Sequence, residues 1–200
     1  MSVFITGRRS ELGRLLSLHK ATGRVHFNVA GQQANTLLHD GHAWKDFART
    51  ALAGTRQALR TDASLLVHAS FAFVLGSPQK DPLRSLAEAI LECESLILAA
   101  PVATCVVRLG YLYGPQSQDL RAYRTAFRLG RPYWAGSRTA GQFHLHHEDA
   151  VSAPLAAAKA QNVGRTLYAI GGPPVSFMQF MQFMDDFARR VGTRFPLHAE

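Results

Sequence analysis

Short apolar runs alternate with helix-length amphipathic segments along most of this chain, and no other feature constrains its fold as strongly. Val3–Thr6 reads as a first strand and Ser10–Lys20 as its helix, with Leu12, Leu15, Leu16 and His19 on one face. Val25–Val29 reads as a second strand. Residues 44–60 carry Trp44, Phe47, Ala48, Ala51, Leu52 and Leu59 at helical period. Ser64–Ser70 and Ala103–Leu109 are near-continuous apolar runs, the signature of strands buried on both faces of a parallel sheet. Between them, residues 82–99 predict a helix with Leu86, Ile90, Cys93 and Ile97 on one side. Strands separated by helices in this rhythm predict an α/β protein with a mainly parallel sheet.

The last third is less regular. Tyr113–Pro115 marks a turn, residues 120–129 a short basic helix, and residues 143–146 a short strand. Residues 148–160 predict a helix carrying Pro154, and residues 167–170 a final strand. Ser176 and Gln179 have the spacing of a capping box ahead of a helix whose Phe177, Phe180, Met181, Met184, Phe187 and Val191 form one apolar stripe. The stripe is read as core packing.

Two hundred residues suit one domain, or one domain with a small appended lobe. A hydrophobic share of 47% with 18% charged residues is a globular balance. No apolar run reaches the roughly 20 residues that span a bilayer, and the N-terminus lacks secretory features. Cys93 and Cys105, in no metal-ligand spacing, are read as buried reduced thiols of a cytoplasmic protein. The excess of 22 Lys and Arg over 14 Asp and Glu gives +8, which favours an anionic partner. The basic residues are scattered and mostly Arg, so the default reading is a basic soluble protein with no dedicated polyanion site.

The stretch SVFITGRRSELGRLL, residues 2–16, has the strand–turn–helix form that seats a pyrophosphate on free helix N–H groups. Gly7, Ser10 and Gly13 occupy the cradle positions. Arg8 and Arg9 could add charge for a 2′-phosphate. The alternative is an inherited turn, with Gly7 needed for the bend and Gly13 for close packing. HLHHED, residues 144–149, invites a metal reading, but alternating strand geometry puts His147 on the opposite face from His144 and His146, and no third ligand is fixed. No metal site is assigned. Arg121, Arg124, Arg128 and Arg131 fall three to four apart on one helical face.

The segments VFITG, VHFNVAG, AGTRQALR, LLVHAS, VVRLGYLYGP, FHLHHEDAVSA and LYAIGGPPVSF occur in an order that resembles the extended short-chain dehydrogenase/reductases, the NAD-dependent epimerase/dehydratases. The resemblance implies a Rossmann-like sheet flanked by helices across residues 1–200, with a small substrate-type lobe built from about 111–147 and 164–200. It implies NAD or NADP on Gly7, Arg8, Arg9, Ser10 and Gly13, and substrate-lobe anion contacts at Arg108, Tyr113, Arg124 and Arg128. It also makes His146 and Asp149 parts of a strand-to-helix junction.

Two departures from the family matter more. Its Ser/Thr–Tyr–Lys catalytic positions fall here on Phe71, Leu83 and Ala87, and no tyrosine precedes Gly110. Ser70 sits one residue off and on the opposite face of a strand. No catalytic residue is assigned. Between the first helix and VHFNVAG, the family's further β-α-β piece is replaced by HKATG, too short for a crossover. The usual strands 2 and 3 are therefore lacking, and with them the reversal of strand order that creates a cofactor crevice.

The expected function is that of a degenerate, noncatalytic relative serving as a binding or accessory subunit, with NAD or NADP held weakly or not at all. One alternative is an NAD(P)-dependent oxidoreductase, epimerase or sensor that keeps the glycine-loop site. Another is a basic module for nucleic acid or membrane. The first strand becomes a sheet edge, which predicts cover by self-association, by another chain, or by the loop from Gly31 to Ala43.

Overall fold

The computed structural model describes residues 4–19, 24–30, 43–76, 83–115, 117, 120, 121, 125, 129, 141–176, 178–180, 182 and 183. Strands β1 (Phe4–Thr6), β2 (Val25–Asn28), β3 (Leu65–Phe71), β4 (Ala103–Leu109) and β8 (Thr166–Ala169) form one sheet in which every pairing is parallel. Helices α1 (Glu11–Leu16), α2 (Ala43–Ala58), α3 (Leu83–Leu98) and α4 (His147–Ala157) flank it. The α/β, mainly parallel, helix-flanked sheet expected from the sequence is what the structure contains.

The order across the sheet is β1-β2-β3-β4-β8. It follows chain order from one edge to the other, so it never reverses. Among the described residues β1 has β2 on one side and no strand on the other, and Phe4 is 40% exposed. The short span between α1 and β2 has the effect the sequence foretold: β1 lies at the edge.

The two sheet faces differ. Val25, Phe27, Val67, Ala69, Cys105, Val107 and Leu109 point to one face, where they meet Leu12 and Leu16 of α1 and Ala150, Val151 and Ala157 of α4 in a single apolar core. Helix α1 has only six residues, too few to be stable alone. Burial of Leu12 and Leu16 holds it, each contributing about 1.5–3 kcal/mol. The helix stops well short of Lys20 because Ser17 Oγ bonds back to the Arg14 carbonyl at 2.7 Å and the next N–H groups close tighter turns. The opposite face, under α2 and α3, mixes apolar groups with a row of polar ones.

Helix α4 keeps Pro154 in its interior and ends three residues after it, at Ala157, earlier than residue 160. Beyond the main sheet, β5 (Tyr111–Tyr113) pairs in parallel with β7 (His144–His146), and β6 (Gly141–Gln142) pairs antiparallel with β9 (Val175–Ser176). Ser176 Oγ accepts the Gln179 N–H at 3.1 Å while Gln179 Oε1 accepts the Ser176 N–H at 2.8 Å, completing the capping box. No helix among the described residues is long and apolar enough to cross a membrane.

Candidate functional site

At the glycine turn, Gly7 has φ +85°. A Cβ there would lie 2.6 Å from the backbone of Val29 and Ala30, so both conformation and space demand glycine. A Cβ on Gly13 would lie 2.3 Å from the Gly7 carbonyl oxygen, because α1 sits directly on its own turn. Ser10 is buried as the N-cap of α1, and its Oγ accepts the Gly13 N–H at 3.0 Å. One of the free N–H groups that a phosphate would use is thus taken by the chain's own hydroxyl.

The next residue, Glu11, places a carboxylate in the first turn, with Oε1 2.5 Å from His147 Nε2 at the start of α4. That negative charge complements the helix dipole and opposes a second anion at the same end. Arg8 and Arg9 are exposed, and Arg14 Nη1 donates to the Arg9 carbonyl at 3.1 Å. A dinucleotide does not fit this turn well. Its helix start is already capped and negatively charged, and no strand beyond β1 is described to wall an adenosine.

Phe71, Leu83 and Ala87, the positions that the sequence resemblance assigns to the family's catalytic groups, lie at the α2–α3 side. Phe71 meets Phe47 edge-on at 5.7 Å and Phe73 at 6.1 Å. Ala87 is buried with Phe47, Ala51, Val74, Leu86, Ile90 and Cys93, and Phe71 and Phe73 pack against that cluster. Leu83 opens α3 and is half-buried. The arrangement can pack helices together; it offers no group to exchange a proton.

Of the polar row nearby, only Ser70 and Arg108 were singled out in the sequence, and in other roles. Thr6 Oγ1 pairs with His26 Nε2 at 2.8 Å. Asn28 Nδ2 lies 3.1 Å from Thr55 Oγ1 and 3.0 Å from His68 Nδ1, while its Oδ1 accepts the Ala30 N–H. Burial pushes the His68 imidazole down to about 4, against the pull of the Glu94 charge and the Asn28 contact. Burial also lowers the pKa of His26. Farther along, Ser70 Oγ donates to Glu94 Oε1 at 2.5 Å, and Arg108 donates to both carboxylate oxygens at 2.9 and 2.6 Å.

Arg108 also donates to Tyr168 Oη at 3.3 Å, and its hydrogen bonding to Glu94 raises its pKa against the effect of burial. Its guanidinium is therefore committed within the fold. The signal for this row was available: His26 and Asn28, then His68 and Ser70, alternate with apolar residues along their strands, and Glu94 stands on the apolar side of α3.

Tyr113 lies on β5 within an aromatic group, 5.4 Å from the rings of both His146 and Phe180. His144 stacks on Phe180 at 4.0 Å with an interplanar angle of 12°. Burial lowers the His144 pKa to about 4, opposed by the Gln142 backbone. His146 is the N-cap of α4, its Nδ1 facing the Glu148 N–H at 3.4 Å, and Asp149 lies in the exposed first turn. Arg124, Arg128 and Arg131 lie outside the described residues. No group of three or more His, Cys, Asp or Glu among the described residues is arranged to hold a metal ion.

No protein-family model matches the sequence, and no curated protein sequence does. Solved structures do match. The chain is similar to MoeE5 in complex with UDP-glucose and NAD, at 17% identity and a TM-score of 0.72, over 98% of this chain and 84% of that one. It is similar to the human epimerase family protein SDR39U1 with NADPH, at 16% identity and TM-score 0.71, over 98% and 81% of the two chains. A dTDP-glucose 4,6-dehydratase from Streptomyces venezuelae, DesIV, with NAD and DAU bound, matches at 13% identity and TM-score 0.66, over 96% and 82%. At such identities the likeness speaks to architecture. The chain has the fold of the extended short-chain dehydrogenase/reductase epimerases and dehydratases, in a form whose β1 lies at the sheet edge.

Proposed function

We propose that this protein is a noncatalytic relative of those enzymes, acting as a binding or accessory subunit. One observation supports the reading: Phe71 and Ala87, which with Leu83 hold the positions that the resemblance assigns to the family's catalytic groups, pack in an apolar cluster shared by α2 and α3. General acid–base chemistry needs a titratable group within hydrogen-bond reach of the reacting atom, and these side chains supply none. The expected outcome is unaltered UDP-glucose, followed by NMR for any epimerised, dehydrated or oxidised product, when the protein is mixed with NAD or NADPH and UDP-glucose, the ligands seen in its structural neighbours. Turnover above background overturns the reading.

The accessory role rests on the β1 edge. Its backbone, unpaired among the described residues on the side away from β2, and the exposed ring of Phe4 favour cover by a second copy or another chain. Amide exchange at Phe4–Thr6, followed with and without material co-purified from the native host, tests this. Protection that rises with the partner or with protein concentration supports it. Rapid exchange in every preparation, together with a monomer in solution scattering, counts against it.

A further inference from the structure

A cavity of about 280 Å³ lies between the β5–β7 pair, the turn at Gly171–Pro173 and the segment carrying Phe180 and Phe183. Its walls include Tyr113, His144, Pro173, Phe180 and Phe183. We infer that this cavity binds an uncharged, planar aromatic molecule of one or two fused rings. The inference is independent of whether the protein is catalytic.

Three observations support it. The first is size: about 280 Å³ lies just below the range that holds drug-sized ligands, so it suits a fragment rather than a whole dinucleotide. The second is the lining. No Lys, Arg, Asp or Glu stands among the described residues of the wall, and Arg108, on the strand that precedes β5, is held by Glu94 and Tyr168.

The third is the state of the aromatic wall. His144 is 8% exposed, stacked on Phe180, and neither ring nitrogen has a well-formed hydrogen bond. A buried imidazole held this way presents a neutral ring surface, so the wall attracts π systems rather than anions. Phe183, at the same cavity, is 61% exposed, an apolar ring that a stacked ligand would cover. Gln179, a polar side chain of the wall beside His144 and Tyr113, has its amide oxygen committed to the Ser176 N–H.

The test uses the full chain with indole, uridine and UDP, read by ligand-detected saturation-transfer NMR and by shifts of the Phe180 and His144 ring protons. Indole is expected to bind in the millimolar range or tighter and to shift those ring protons. UDP is expected to gain less than threefold over uridine, because the wall gives its phosphates no partner. Phe183→Ala, an exposed position, should keep the melting temperature and weaken indole about threefold to tenfold, the loss of one aromatic contact. Three results each overturn the inference: no indole binding at several millimolar, UDP binding more than tenfold tighter than uridine, or indole binding unchanged by Phe183→Ala.

Discussion

Arg108 grips Glu94 through two nitrogens, Nε to Oε1 at 2.9 Å and Nη2 to Oε2 at 2.6 Å, and so ties β4 to α3 beneath the sheet's polar row. The pair's side chains are only 16% and 5% exposed. Removing one partner leaves the other charge without its ion pair, whereas removing both can be nearly neutral. Glu94→Gln should lower unfolding stability by about 3 kcal/mol in urea titrations. The Glu94→Leu/Arg108→Leu double variant should cost less than the sum of its two single changes. Additive losses would show that the pair is not coupled.

The polar row also makes stability depend on pH. His68 has a folded pKa of about 4 against an ordinary 6.5. The unfolded chain therefore takes up a proton that the folded one refuses between those values. Stability is fully present above about pH 6.5, falls as pH drops toward 4, and loses roughly 3 kcal/mol from this group by the bottom of the window. His144, with the same pKa of about 4, adds a slope of the same sign. His68→Gln should flatten the melting-temperature profile between pH 6.5 and 4 by about half of the slope the two histidines share.

At the glycine turn, the account assigns structural tasks to individual atoms. Ser10→Ala should cost about 1 kcal/mol through loss of the cap on Gly13 N. Gly7→Ala should cost at least about 2 kcal/mol, because a left-handed φ is imposed on a side chain that also meets the Val29–Ala30 backbone. Chemical denaturation measures both, and an unchanged midpoint for Gly7→Ala would contradict the geometry.

Much of this was legible in the sequence because parallel sheets advertise themselves. LLVHASF and ATCVVRL are buried on both faces, and the few residues between α1 and β2 leave no room for another strand. The missing reversal of strand order followed from that shortness alone. Less legible was the short extent of α1, which Ser17 decides through a local bond to Arg14. Least legible was the polar row. Its members are spread over residues 6–168, and only the parallel register brings Ser70 beside Arg108 and Asn28 beside His68. In isolation, each residue in a strand looks like an interruption of an apolar run.

The apolar packing at Ala87, the position that the resemblance assigns to the family's lysine, can be probed directly. Ala87 is 6% exposed among Phe47, Ile90 and their neighbours. Ala87→Lys places an ammonium there with no carboxylate to meet it and should destabilise the fold by about 3 kcal/mol or more, or titrate well below the usual lysine range. Circular-dichroism melts across pH 7–10 distinguish the two. A variant as stable as the parent, with a normal lysine pKa, would mean that the cluster opens to solvent.

The central claim is that the turn at Gly7–Gly13 is a structural remnant rather than a cofactor cradle. Thermal unfolding with 1 mM NAD, NADH, NADP or NADPH tests it most directly. A site with a dissociation constant near 10 μM would add about 2.7 kcal/mol, or roughly 5–10 °C for a chain of this size. The account predicts no shift with any of the four. A reproducible rise of several degrees with one of them, abolished by Gly7→Ala at a matched fraction folded, would contradict it.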